Sequence, residues 1–123
     1  MSTPVVTTHD PAVSWLDPTL NTDGSPITAG EVSGYLIGIR DVNAAGSTAG
    51  AYPVTATAVG GGATSALMSA LGFLGFLFRG GTYAVAAESE VGGAGVGAWS
   101  PEFVFQYSPP APVPNAPTAL KVA

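Results

Sequence analysis

Two neighbouring stretches decide the fold: residues 80–89, which read GGTYAVAAES, and residues 97–105, which read GAWSPEFVF. Apolar residues recur at every second position in both, which is the period of a β-strand with one buried face. The glycine-rich residues 92–95 between them predict a turn. A hairpin with one apolar face is not stable alone, so a second sheet has to cover it. The side chains expected on that apolar face are Tyr83, Val85, Ala87, Phe103, Phe105 and Tyr107.

The composition favours a small all-β domain with a weakly charged surface. The chain has 123 residues, which is enough for one domain with one hydrophobic core. Its 17 glycines and 11 prolines indicate many turns between short strands. Only 9% of the residues are charged, against about 25% in typical domains. So few charges protect a surface poorly against association, which favours a subunit packed inside an assembly.

The hairpin resembles the F–G hairpin of a fibronectin type III domain. Tyr83 stands where that family places its tyrosine-corner residue, and the pair Trp99-Ser100 stands where the family often has the same two residues before strand G. These motifs are short, but they occur in the family's order along the chain. The resemblance says little about function, because this fold hosts many binding and spacer roles.

Earlier parts of the chain support the same resemblance. Residues 13–15, Val-Ser-Trp, resemble the strand B motif, and residues 34–40 resemble strand C. The resemblance implies that residues 1–107 form a seven-stranded antiparallel immunoglobulin-like β-sandwich of fibronectin type III type, with two sheets packed face to face. Trp15 is then expected to be the central aromatic residue of the core.

The longest predicted strand covers residues 31–41. Tyr35, Ile37 and Ile39 alternate along it and are expected to face the core. Gly34 and Gly38 lie on the opposite face, which we expect to be flat enough for another backbone to approach closely. The other segments predicted to be extended, apart from the hairpin, are residues 3–8, 12–16, 51–59 and part of 64–78.

Residues 66–78 form the only long apolar stretch of the sequence. It is shorter than the roughly 20 residues that a membrane-spanning helix needs, and its glycines weaken a helix. We therefore predict no membrane insertion and expect a buried strand followed by a loop into the hairpin. An apolar patch docked on a neighbouring protein is the alternative interpretation.

The charge pattern excludes several classes of partner. The net charge is −5, and the strong cations are Arg40, Arg79 and Lys121, so a phosphate-binding surface for nucleic acid is not expected. The sequence has no cysteine, which excludes disulfides and thiolate metal sites. The glycine clusters lack the spacing of nucleotide-binding loops, so no cofactor is predicted.

We predict no enzymatic activity. His9, the single histidine, precedes Asp10 at a turn, and no nucleophile can be assigned to it, so it is interpreted as a solvated turn residue. Asp17, Asp23 and Asp41 lie in or near loops, but their spacing matches no calcium-binding motif, and no metal site is predicted.

Residues 108–123 depart from the pattern of a compact domain. They hold five of the 11 prolines, and proline at this density favours an extended arm of about 3.1 Å per residue. The segment then alternates in the manner of a strand and resembles the first strand of another fibronectin type III domain. Three interpretations stand: a remnant of a tandem array, an idle tail, or a strand added to a neighbouring subunit. The residues predicted to contact a partner are Pro109, Pro110, Pro112, Pro114, Pro117, Leu120 and Val122.

Together these features favour a non-enzymatic structural protein of a tailed-phage virion, a capsid decoration or cement protein or a tail-associated subunit. The chain starts with methionine and lacks a secretion signal, which is expected of a protein assembled in the host cytoplasm. The expected partners are other virion subunits or copies of itself. The alternative is a cell-surface adhesion domain or a carbohydrate-associated accessory domain, which would carry a row of exposed aromatic residues on one face.

Overall fold

The protein is built from β-strands arranged in two sheets. The structure, a computed structural model, describes residues 3–21, 23–28, 31–59, 64–91, 94–95, 99–111 and 114–122. Within these residues there is no α-helix, and one turn of 3-10 helix covers Leu74–Phe76. The strands are β1 (Val5–Val6), β2 (Ala12–Ser14), β3 (Gly34–Asp41), β4 (Val54–Val59), β5 (Ser65–Leu67), β6 (Gly81–Val91), β7 (Ala94–Gly95) and β8 (Phe103–Tyr107).

The larger sheet has the strand order β1-β8-β6-β3-β4, and the short β7 also pairs with β6. The smaller sheet contains β2 and β5. The seven predicted strands correspond to β1–β6 and β8. The prediction of purely antiparallel sheets was wrong in one place, because β1 pairs with β8 in parallel. Residues 7–11 then carry the chain from the edge of the large sheet to β2, and so short a connection leaves no length for a further strand beside β2.

Strand β6 lies at the centre of the large sheet. It pairs with β3 from Tyr83, opposite Asp41, to Glu90, opposite Gly34. On its other side it pairs antiparallel with β8, which is the hairpin pairing expected from the sequence. Beyond that ladder Ser100 continues the contact, because its amide donates to the Ala87 carbonyl and its hydroxyl accepts from the Ala87 amide.

The core lies between the inner face of the large sheet and a cover formed by β2, β5 and residues 68–77. The alternation predicted for the large sheet is confirmed, because Tyr35, Ile37 and Ile39 are all buried. A loop follows β5, as expected, but the expectation of a buried strand was wrong, because β5 is short and both Ser65 and Leu67 are exposed. The loop itself is buried only in part. Its buried side chains are Met68, Leu71, Phe73 and Leu77.

Two predicted core residues lie at the margin instead. Trp15 is half-buried, because β2 ends at Ser14 and the indole packs at the rim with its ring centre 5.4 Å from that of Tyr35. Phe103 alternates correctly with Phe105 but is 56% exposed. The inner face of β8 is therefore incompletely covered at this position.

Tyr83 ties the core to the loop before β6. Its ring is almost completely buried, and its hydroxyl accepts a hydrogen bond from the backbone N–H of Phe78 at 2.6 Å. Burial is the main cause of a raised pKa at this hydroxyl. The bond satisfies an amide that would otherwise be left without a partner in the turn, which fixes how the chain enters β6.

We expect Tyr83→Phe to lower the free energy of unfolding by about 1–3 kcal/mol, because the Phe78 amide loses its acceptor while remaining part-buried. Denaturant unfolding measures the change. Tyr52→Phe is the matched substitution, and it should cost less than Tyr83→Phe. Glu102 keeps its two hydrogen bonds to Arg40 when the Tyr52 hydroxyl is removed, and the Gly50 amide, which loses a long bond of 3.3 Å, is exposed to water. Equal losses in the two variants would contradict the role assigned to Tyr83.

Candidate protein-interaction site

The root of the proline-rich arm is fixed to the body of the protein. The Ser108 amide donates to the carbonyl of Val6, and Pro109 is buried. Arg79 holds the next turn of chain, since its Nε donates to the Pro109 carbonyl at 2.9 Å and its guanidinium also donates to the Pro110 carbonyl at 3.2 Å. The carbonyls of Pro109 and Pro110, two residues predicted as partner contacts, thus accept hydrogen bonds within the chain, and Pro110 is otherwise exposed.

The described end of the arm is fully exposed. Pro114 and Pro117 lie at the surface, and Leu120 and Val122 are 94% and 99% exposed. Residues 114–122 form no helix or strand and make no hydrogen bond to the described part of the chain. The predicted contact residue Pro112 lies outside the described residues. Apolar side chains so fully exposed on a segment without regular structure are available to a partner.

A second group of residues, on the outer face of the large sheet, was not recognised from the sequence. We call it the outer-face cluster: Arg40, Ser47, Tyr52, Trp99 and Glu102. Arg40 makes a two-bond ion pair with Glu102, at 2.8 Å from Nε and 2.7 Å from Nη2. Nη1 donates to the Ser47 hydroxyl, and the Tyr52 hydroxyl donates to Glu102.

The ion pair is well shielded, because the side chains of Arg40 and Glu102 are only 11% and 14% exposed. The hydrogen bonds from Arg40 are the main reason why the pKa of Glu102 lies below its usual value, and the same contact raises the pKa of Arg40. Both charges are thereby satisfied internally. The cluster binds β3, the loop after it and the start of β8 together.

Small residues form the floor under this cluster. Gly38 lies opposite Ala86, and Arg40 lies opposite Ala84, so the outer face is low where the Arg40 side chain crosses β6. A Cβ atom on Gly38 would lie 2.5 Å from Cγ of Tyr52. The flat face predicted at Gly38 therefore exists, but the ring of Tyr52, not another backbone, covers it. Trp99 packs edge-on against that ring, with centres 4.7 Å apart.

The residues considered for catalysis or metal binding are separate from one another. His9 is exposed, and its carbonyl accepts from the Tyr107 hydroxyl. Asp17 accepts a hydrogen bond from the Tyr35 hydroxyl. Asp23 accepts from the Ser25 amide, and Asp41 accepts from the Asn43 amide. Within the described ranges, no three His, Asp or Glu side chains come close enough together to hold a metal ion.

Comparison with known proteins gives no relative. No protein-family model, no curated protein and no solved structure matches this chain. In the part of the chain that the structure covers, no helix is long and apolar enough to cross a membrane.

We expect Glu102→Gln to lower the free energy of unfolding at pH 7 by about 1.5–3 kcal/mol, because it removes the charge that Arg40 binds. The folded-state pKa of Glu102 is depressed below 4.5, so the contribution of the pair is full above that pH and is lost as the pH falls through the lower value. Urea unfolding at pH 7 and at a series of lower pH values measures this, and the deficit of the variant should shrink as the pH falls through the folded-state pKa of Glu102.

Glu88→Gln is the control for this experiment. Glu88 lies on the outer face of β6, and its carboxylate accepts no hydrogen bond from a described residue. Its substitution should change the free energy of unfolding by less than about 0.5 kcal/mol at pH 7. A Glu102→Gln deficit of the same size at every pH at which the protein remains folded would contradict the assigned ion pair.

We expect Gly38→Ala to destabilise the fold by about 1–3 kcal/mol, because the new methyl group overlaps Cβ and Cγ of Tyr52. In a Tyr52→Ala background the overlap is gone, and the same change should cost much less. A double-mutant cycle by denaturant unfolding measures the coupling. Additive effects would show that Tyr52 does not lie over Gly38.

Proposed function

We propose that this protein is a non-enzymatic structural subunit that joins neighbouring copies through its proline-rich arm, residues 108–123. The observation that carries the proposal is the contrast within the arm. Its root is clamped by Arg79, whereas Leu120 and Val122 beyond it are almost wholly exposed. A bound root combined with an exposed apolar end suits a segment that reaches a neighbour.

We further propose that the body is an immunoglobulin-like β-sandwich of fibronectin type III type. Strands β2 and β5 share one sheet, as strands B and E do in that topology. Strands β3, β6 and β8 share the other sheet, as strands C, F and G do. The bond from the Phe78 amide to Tyr83 also supports it, because a tyrosine corner ties strand F to the backbone a few residues upstream.

The surface chemistry supports a role in assembly over a role in catalysis or phosphate binding. Two of the three strong cations are used internally, since Arg40 binds Glu102 and Arg79 binds the arm root. The third, Lys121, lies on the arm itself. A surface with few charges and an exposed apolar segment favours protein–protein contact, and repetition of a weak contact by symmetry gives a stable assembly.

The setting we propose is the virion of a tailed phage, where the chain would serve as a decoration, cement or tail-associated subunit. The low content of charged residues and the exposed end of the arm support this setting. Mass spectrometry of purified phage particles from the organism that encodes the protein tests it. A subunit should be present in many copies per particle, and its absence from the particles would rule the setting out.

One observation favours the alternative of an adhesion or carbohydrate-associated domain. Tyr52 and Trp99 lie together on the outer face, and Tyr52 also lines a cleft of about 560 Å³. Their planes meet at 64°, however, so the two rings do not form the flat row that stacks on sugars. Their polar neighbours are already bound to one another, which makes this the weaker proposal.

Light scattering after size exclusion tests the assembly role. We expect the full chain to form defined oligomers and a chain ending at Ala111, which keeps the Arg79 contacts, to be a folded monomer. In the matched control, residues 114–123 are replaced by a Gly-Ser segment of equal length, and this chain should also be a monomer. If all three chains are monomers over the accessible concentrations, the arm does not join copies of this protein and the proposal fails.

A further inference from the structure

Strand β2 has one unpaired edge. On its paired side, the Met68 amide donates to the Pro11 carbonyl and the Trp15 amide donates to the Thr64 carbonyl. In an antiparallel ladder this places the N–H and C=O of Val13 toward β5 and those of Ala12 and Ser14 toward the opposite side. No described residue bonds to these groups, and both residues are exposed. Such an edge is a template for a further strand.

An apolar groove lies beside this edge. It has a volume of about 240 Å³, and it is bounded by β1, β2 and the inner face of β8. A dry cavity of roughly 150 Å³ is large enough to hold a benzene molecule, so the groove has room for an aliphatic side chain. The exposed Phe103 borders it. The other apolar side chains that line it are Val6, Pro11, Val13, Met68, Val85 and Phe105.

The same chain carries a segment with the matching pattern. In residues 118–122, Thr118, Leu120 and Val122 alternate with Ala119 and Lys121, so an extended conformation has one mostly apolar face and one solvent face. Ala119 has a φ of 56°, which costs an L-residue roughly 1–2 kcal/mol. Extension on binding would relieve that strain.

We propose that residues 118–122 of a second copy add to the free edge of β2 as an antiparallel strand and place Leu120 in the groove. This inference rests on the proposed assembly function and names its acceptor. Backbone bonds to Ala12 and Ser14 provide affinity, and the groove selects the register.

The position of the arm root favours a second copy over the arm's own body. Tyr107 pairs with Val6 and its hydroxyl bonds to the His9 carbonyl, so the arm leaves at the end where β2 begins. An antiparallel partner of β2 has to start at the other end, beside Ser14. The protein's own arm would have to pass β2 and reverse, whereas another copy's arm can approach from that end directly. Reciprocal exchange closes a dimer, and one-way exchange makes a chain of copies.

Two substitutions at adjacent arm positions test the side-chain fit in the full-length protein. Leu120→Glu places a charge in the groove and should weaken association at least tenfold. Ala119→Glu places the same charge on the solvent face of the added strand and should leave association within twofold. Sedimentation equilibrium measures both. Equal effects, or no effect of Leu120→Glu, would overturn the proposed face.

Disulfide trapping tests the acceptor, because the sequence has no native cysteine. Full-length Lys121→Cys is mixed with full-length Ser14→Cys or Ala12→Cys and oxidised mildly. A mixed disulfide is expected with at least one of the two acceptors. Ser65→Cys is the matched control, because Ser65 faces Ser14 from β5 and is one strand further from the free edge. It should not be trapped.

The outcomes separate the two proposals. If the full chain forms oligomers that need the arm but neither acceptor on β2 is trapped, the assembly function stands and the β2 site is wrong. If the Ser14→Cys/Lys121→Cys double variant instead closes a disulfide within a monomer, the arm covers its own β2 edge and the second-copy proposal is overturned. If no arm-dependent oligomer forms, both proposals fail.

Discussion

The burial of both faces of β6 is the constraint on which the rest of the structure depends. Its inner face carries Tyr83 and Val85 into the core, and its outer face carries Ala84 and Ala86, which are also buried. A strand buried on two faces needs a neighbour at each edge and a layer above and below it. Strands β3 and β8 supply the edges, and β5 with residues 68–77 belongs to the inner layer. The outer layer is a set of side chains, not a third sheet.

The outer layer explains why β6 carries alanine there. The Arg40 side chain has to cross β6 to meet Glu102, and the bonds it forms are 2.7–2.8 Å long. Any larger side chain at the crossing would lift the guanidinium away from its partner. The ion pair therefore requires the small residues beneath it, and the Arg40 side chain in turn covers those residues. The ion pair links the last residues of β3 to the start of β8 without an additional strand.

The inner face was predictable from the sequence, and the outer face was not. Alternation identified Tyr35, Ile37 and Ile39 because burial on one side of a strand has a period of two. Arg40 and Glu102 are 62 residues apart, and nothing local in either segment signals their contact. The flatness at Gly38 was visible, but Tyr52, which covers it, was expected from the weak alternation of residues 51–59 to face inward. Tyr52 instead precedes β4, and its ring lies on the outer face. For the arm, alternation marked Leu120 and Val122, whereas the clamp by Arg79 depends on tertiary placement.

The two-stranded sheet leaves one edge of β2 without a partner among the described residues, and such an edge can pair with another chain. Natural sheets protect their free edges with charge, proline, bulges or a covering segment. Strand β2 (Ala12–Ser14) contains no charged residue, and two of the three Lys and Arg residues of the chain are used within the fold, so no charge of its own protects the edge of β2. Proline precedes that strand at Pro11 but does not interrupt it. Of these four forms of protection, a covering segment is the one that this chain can provide, through its arm. An arm that carries Lys121 on its solvent face and Leu120 on its apolar face would cover the edge and leave a charged strand outermost.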